Sequence, residues 1–253
     1  MGKGVSYGVY RAVRWLASLI IPKPEYIGLE NVPEGPCVLV GNHAQMYGPV
    51  YAEVWLTGER AIWCNGEMMH ANEVPDYAYR DFWGSKPAWS KGFWRVLSYV
   101  IAPICASVFS NAHCIGVYRD ARLKDTFKES LEALEAGKRV VIFPDWDKPY
   151  NDIIYEFQDR FIALGRMYQR QFGKLLAFVP MYAAPSIRKV AIGKPVYYDD
   201  AARPSEERTR VCEALMDAVT ALGKSLPRHR VTPFPNLPRK EWRWSRPEGE
   251  EPR

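Results

Sequence analysis

The stretch "CVLVGNHAQMYGPV", residues 37–50, decides how the chain is read. Cys37 to Val40 form a short, unbroken apolar run, which fits a strand buried on both faces better than a helix. Pro49 is suited to the first turn of a helix, and "VYAEVWLTG", residues 50–58, continues in helical style. His43 therefore falls at the C-terminal end of a strand, just ahead of a helix. That is where open α/β sheets place their chemistry. On the residues alone, a histidine here has three readings: a catalytic base, a metal ligand, or a turn residue with a satisfied hydrogen bond.

Further strands follow from similar runs. "RAIWCNG" (60–66), "CIGVYR" (114–119), "RVVIFP" (139–144), "LLAFVPMY" (175–182) and "IRKVAIGKPVYYD" (187–199) are apolar or alternate, and turn residues border them. Between two of them lies "ARLKDTFKESLEALEAGK", residues 121–138. Leu123, Phe127, Leu131 and Leu134 share one helical face, and Gly137 supplies the stop. Strand, helix and strand with short joints predict a parallel pair. "DWDKPYNDIIYEFQ" (145–158) reads as a polar and aromatic loop, and "EFQDRFIALGRMYQRQFG" (156–173) as a helix. A last helix over 205–226 turns Val211, Leu215, Val219 and Leu222 inward. The fold class expected is α/β: a single domain with a central, mostly parallel sheet flanked by helices.

Both ends differ in character from this centre. "VSYGVYRAVRWLASLIIP" (5–22) is an amphipathic helix ended by Pro22, and up to Lys23 the charges Lys3, Arg11, Arg14 and Lys23 meet no acid. A basic, Trp-bearing helix suits a membrane interface, and it equally suits packing on the protein's own core. "MGKGVS" has the form of the N-myristoylation pattern, relevant only in a eukaryotic host. The end from residue 226, "PFPNLPRKEWRWSRPEGEEPR" in its later part, lacks periodicity and is expected to be draped or disordered. The expected boundaries are residues 1–22 for the N-terminal helix, 23–225 for the α/β domain and 226–253 for the Pro/Arg/Trp-rich tail. The aromatic stretch 73–109 is expected to be helical in two or three pieces. Its side chains suit the core, an acyl groove or a membrane surface.

The chain has 253 residues, 47% of them hydrophobic, enough to bury a sizeable core. A net charge of +5 is mild, and only the basic tail would favour nucleic acid, so no nucleic-acid partner is expected. The five cysteines include no C-x-x-C pair and fit a reduced, cytosolic protein. Glu67 and His70 stand three apart with no third ligand evident, and no G-x-S-x-G elbow or P-loop is present. The longest apolar run, residues 96–109, contains Pro103 and falls short of the roughly 18 residues of a spanning helix.

Three stretches fall together at strand ends: "GNHAQMYGP", "IGVYRDAR" and "VVIFPDWDKPYN". In order and spacing they resemble the motifs of the glycerolipid acyltransferase family, the lysophosphatidic acid acyltransferase type. Asn42-His43 matches the start of N-H-x4-D, and Arg119 matches the arginine of the second motif. Phe143-Pro144-Asp145 matches F-P-E, with Asp for Glu, and Pro180 matches the proline that ends the fourth. The resemblance covers roughly residues 26–198. It implies that His43 is a base and that Asn42, Arg119, Asp147 and Lys148 bind substrate. It also implies an acyl-CoA or acyl-carrier-protein donor, no other cofactor, no metal, and a lipid-type acceptor. The expected setting is cytoplasmic, peripheral on the inner face of a membrane, with an acyl carrier protein as a possible partner.

The departures are specific. Gly48 stands where the family has the aspartate that orients the histidine, and Trp146-Asp147-Lys148 replaces Gly-Thr-Arg. Losing such a carboxylate costs serine proteases about four orders of magnitude. Two expectations follow. Either Asp145, or failing it Asp147, supplies the acid, so that His43 and Asp145 are catalytic. Or the chain is a non-catalytic relative that binds acyl chains or lipids. The negative Asp147 favours a neutral hydroxyl, an amine or a sugar over a phosphate-bearing acceptor.

Overall fold

A computed structural model of the protein describes residues 3–83 and 86–246. Gly2 of the myristoylation pattern and the end of the tail from residue 247 lie outside the described residues. Along the chain run α1 (Lys3–Ile20), β1 (Glu25–Ile27), β2 (Cys37–Gly41), α2 (Tyr47–Val54), β3 (Arg60–Asn65), α3 (Val74–Trp83), α4 (Lys91–Asn111), β4 (Cys114–Val117), α5 (Leu123–Glu135), β5 (Arg139–Ile142), β6 (Asp145–Pro149), β7 (Tyr155–Phe157), α6 (Ala163–Phe172), β8 (Ala177–Ala184), β9 (Lys189–Ile192), β10 (Val196–Tyr197) and α7 (Pro204–Ser225). The architecture is mixed α/β, with mostly parallel strand pairings and flanking helices. The chain divides into two compact units, Met1–Ile20 with Ala61–Glu129, and Ile21–Arg60 with Ser130–Arg253.

The larger unit carries strands in the order β1-β9-β8-β2-β5, with β10 also on β8. β2 runs parallel to both β5 and β8, and β1 to β9, whereas β8 is antiparallel to β9 and β10. Every residue of β2 and of β8 is buried. That explains their unbroken apolar sequences: a central strand covered on both faces has no solvent side to make polar. α7 packs on β8 through Val211, Leu215 and Val219. Gly165 on α6 lets that helix approach closely, because a Cβ there would lie 2.7 Å from Tyr198 and 3.0 Å from Phe178.

The smaller unit pairs β3 with β4 in parallel. α3 and α4 share a small core of Met68, Val74, Ala78 and Ala102. α1 is joined to α4 by polar contacts: the Ser107 hydroxyl donates to the Ser6 carbonyl at 2.8 Å, and the Asn111 amide to the Ser6 hydroxyl at 2.7 Å.

Several expectations are corrected here. Helix α4 runs straight through Pro103. With the turn before it, Ala88–Asn111 forms a helical stretch of 24 residues, long and apolar enough to cross a membrane, and only 17% of its most apolar part is buried. The "loop" at 145–158 is a β6/β7 hairpin. The helix expected over 156–173 begins only at Ala163, after β7 and a single turn at Arg160–Ile162. β5 finds its parallel partner in β2, and β4 in β3.

Candidate active site

The two parallel neighbours β2 and β5 deliver His43 and Asp145 to the same end of the larger unit's sheet. Val40 pairs with Ile142, so the residues that follow each strand emerge side by side. Asn42 is clamped on β8. Its amide nitrogen donates to the Ala183 carbonyl at 3.1 Å, and its amide oxygen accepts from the Ala183 N–H at 2.7 Å. The side chain expected to bind substrate thus has both polar ends engaged on backbone.

The loop after Asn42 turns sharply. Ala44 and Gln45 adopt φ of 46° and 57°, the left-handed region that ordinary residues seldom occupy. This bend folds the Gln45 carbonyl back onto the Nδ1 of His43. A carbonyl can only accept, so Nδ1 carries the proton and Nε2 is left as the basic nitrogen. Phe143 and Phe234 flank the ring edge-on, with centroids 5.8 and 5.6 Å away. Burial among these apolar groups lowers the imidazole's pKa to about 4.

Asp145 is buried, and its carboxylate accepts the backbone N–H of His43 at 2.6 Å. It therefore holds the main chain of the loop and not the imidazole, contrary to the expectation of an orienting acid. Desolvation raises its pKa to about 7, against the pull of the N–H bonds it accepts from His43 and from its own backbone. Asp147 and Lys148 lie on β6, whose residues after Asp145 are exposed. Arg119 follows β4 and belongs to the smaller unit.

The missing aspartate has a steric explanation. A Cβ at Gly48 would sit 2.7 Å from the Asn42 carbonyl oxygen, 2.9 Å from that of His43 and 2.8 Å from the Phe143 ring. Two of these neighbours are backbone and cannot yield. The Gly48 N–H instead donates to the His43 carbonyl at 3.0 Å.

The tail contributes a part of the site that sequence reasoning did not foresee. Residues 226–246 are draped over the larger unit. His229 is fully buried, with Nε2 2.9 Å from the Tyr182 hydroxyl and Nδ1 2.8 Å from the Pro227 carbonyl. Ser245 closes the segment by donating its N–H to the His229 carbonyl at 2.8 Å and accepting the His229 N–H at 2.9 Å. Nothing periodic marks these partners, which lie sixteen residues apart.

Elsewhere, His70 meets the Tyr118 hydroxyl at 2.9 Å and Glu67 pairs with Arg80 at 3.0 Å, so that pair is engaged with other side chains. Among the described residues, no cluster of three or more His, Cys, Asp or Glu is arranged to hold a metal.

The loop histidine that follows β2 thus lies beside a buried carboxylate that follows the neighbouring parallel strand β5, with one imidazole nitrogen not engaged by a described residue. No family profile and no curated relative matches the chain. Among solved structures, the chain is similar to the 1-acyl-sn-glycerophosphate (LPA) acyltransferase PlsC from Thermotoga maritima, with TM-score 0.45 and 14% identity, over 86% of this chain and 80% of that one.

Proposed function

We propose that the protein transfers an acyl group from a thioester, acyl-CoA or acyl-carrier protein, to a neutral hydroxyl or an amine of a lipid-type acceptor, with His43 as general base. The observation that carries the reading is the contact between His43 Nδ1 and the Gln45 carbonyl, from which the tautomer is inferred. With Nδ1–H held by the Gln45 carbonyl, Nε2 is ready to take a proton. The acceptor O–H or N–H gives its proton to Nε2 as its heavy atom attacks the thioester carbonyl. The C–S bond then breaks, and the imidazolium returns the proton to the departing thiolate. The exposed Asp147 beside this site disfavours a phosphate on the acceptor.

A second reading, a non-catalytic relative that binds acyl chains, is favoured by one observation. Among the described residues no carboxylate is hydrogen-bonded to the imidazole, and burial weakens it as a base. Incubation with acyl-CoA and a panel of lipid acceptors separates the two readings. Transfer that disappears in His43→Ala supports the enzyme. Transfer that survives His43→Ala rejects it. Bound acyl-CoA without turnover selects the second reading.

The smaller unit supports a peripheral membrane setting. Trp15 is 61% exposed, Ile20 76% and Trp89 88%, and Phe93, Val96 and Val100 are also turned outward. Apolar and Trp side chains on α1, on α4 and on the turn before α4, with Arg11, Arg14, Lys91 and Arg95 on the two helices, fit an anionic interface. Binding to anionic vesicles, weakened by salt, is expected to fall about tenfold in the double variant Trp15→Ser, Trp89→Ser. Unchanged co-sedimentation with vesicles would remove the membrane assignment.

A further inference from the structure

We propose that the tail segment Pro233–Leu237 positions the catalytic histidine, acting through Gln45 and Phe234 in place of the carboxylate that Gly48 cannot supply. The proposal rests on His43 as the base, and the geometry that carries it lies in three contacts.

The first contact is backbone. The Pro233 carbonyl accepts the N–H of Gln45 at 3.1 Å. Gln45 and Ala44 are the two non-glycine residues of this loop in the left-handed region, a conformation that persists only when its surroundings hold it. The second contact is the Gln45 side chain, whose amide nitrogen points at the carbonyls of Leu237 and Pro235, 3.3 and 3.4 Å away. Both are long for hydrogen bonds, so they guide the residue more than they grip it. The third is Phe234, which sets its ring edge-on against His43 at 5.6 Å and is backed by Tyr155 at 6.2 Å.

The chain of causes is short. The tail fixes the backbone of Gln45, and the Gln45 carbonyl fixes Nδ1–H. Phe234 and Phe143 both pack against the ring. A triad carboxylate performs the same two tasks on a histidine, tautomer and orientation, by a charged contact. Here a neutral carbonyl and two aromatic edges perform them, and the protein forgoes the gain in basicity that a negative charge would bring.

The segment is built to act as a fixed part. Pro227, Pro233, Pro235 and Pro238 limit the freedom of its main chain. Its two ends are tied by the His229–Ser245 bonds and by the Val231 N–H to the Arg243 carbonyl at 2.9 Å. His229 in turn is pinned to β8 through Tyr182.

The test uses the full-length protein labelled with 15N-histidine. His43 resonances are assigned by their loss in His43→Ala. In the wild type we expect the Nδ1–H tautomer and a titration midpoint near 4. In Phe234→Ala the midpoint moves up toward that of free imidazole and the tautomers mix, and Phe234→Leu restores most of the wild-type signature. Gln45→Ala, which alters only a side chain at the surface of the loop, mixes the tautomers with a smaller rise. A folded Phe234→Ala, or a folded Gln45→Ala, with unchanged tautomer and midpoint overturns the proposal. If Phe234→Ala does not fold, Gln45→Ala decides. In the acyl-transfer assay, Phe234→Ala is expected to lower kcat about tenfold with KM little changed. Absence of transfer in the wild type would sink the enzymatic reading while the resonances still decide whether the tail sets the histidine.

Discussion

The larger unit holds two imidazoles, His43 half-buried and His229 fully buried, that share one device and differ in what faces the ring. His43 and His229 each hold Nδ1–H on a peptide carbonyl two residues away, Gln45 in one case and Pro227 in the other. They differ at Nε2. In His229 that nitrogen accepts from the Tyr182 hydroxyl at 2.9 Å, so its hydrogen-bonding capacity is spent. In His43 no described residue bonds to Nε2. A carbonyl on Nδ1 thus selects a tautomer in both regions, and what faces the other nitrogen decides whether the ring is a structural rivet or a base.

The sharpest way to break this contrast is to remove each ring. His43→Ala is expected to lower acyl transfer by a factor of about 10²–10⁴ with little change in melting temperature. His229→Ala is expected to do the reverse. It leaves the buried Tyr182 hydroxyl unpaired and opens a hole, at a cost of about 2–4 kcal/mol in unfolding free energy, while the remaining folded protein still transfers acyl groups. Equal effects of the two substitutions on transfer and on melting would dissolve the distinction.

Gly48→Asp probes the other route to orienting His43. If the loop had kept room for a carboxylate, the variant would gain activity. The close approach of the Asn42 and His43 carbonyl oxygens predicts instead a loss of about 1–3 kcal/mol in stability, read by chemical denaturation, and no gain in kcat.

Counted per pH unit, the smallest expected effect concerns Asp145, and it is read from pH. Its folded pKa of about 7 exceeds the value of 3.8 for a free carboxyl. Between these values the folded state holds a proton that the unfolded state has lost, so this group's contribution to stability falls by about 1.4 kcal/mol per pH unit as pH rises. His43, lowered to about 4 from 6.5, does the opposite. Between pH 4 and 6.5 the unfolded state holds the extra proton, and stability rises with pH by about the same slope. The two slopes offset each other in the wild type. Asp145→Asn keeps an acceptor for the His43 N–H but removes the falling slope. The stability of the variant relative to wild type should therefore climb by about 1.4 kcal/mol per pH unit across that window. Parallel stability curves would show that Asp145 does not titrate there.

How far this was legible in the sequence depends on whether the cause was local. The buried runs of β2, β5 and β8 and the faces of α5 and α7 could be read because burial on a regular element imprints a period. The β6/β7 hairpin could not, because β6 is exposed on both faces after Asp145 and so has no alternation. Pro103 suggested a break that α4 does not show. At the site, the neighbouring strands correctly predict that Asp145 lies near His43. Which hydrogen it accepts depends on loop geometry that composition does not reveal. The use of the Gln45 carbonyl leaves no trace in the sequence, since every residue has one. The part played by Phe234 depends on a tail closed by contacts between distant residues.

Asn42 has one more consequence, which concerns how the sheet assembles. Its side-chain amide copies the donor and acceptor of a peptide group and adds a rung to the ladder just past the end of β2, on Ala183 of β8. That rung forms only when Cys37 stands opposite Ala177 and Gly41 opposite Met181. A slip by one residue would turn the amide to the wrong face and strand both polar groups of Ala183. The loop that shapes His43 can therefore close only on a correctly paired sheet, so the residue next to the candidate base also proofreads the strand alignment.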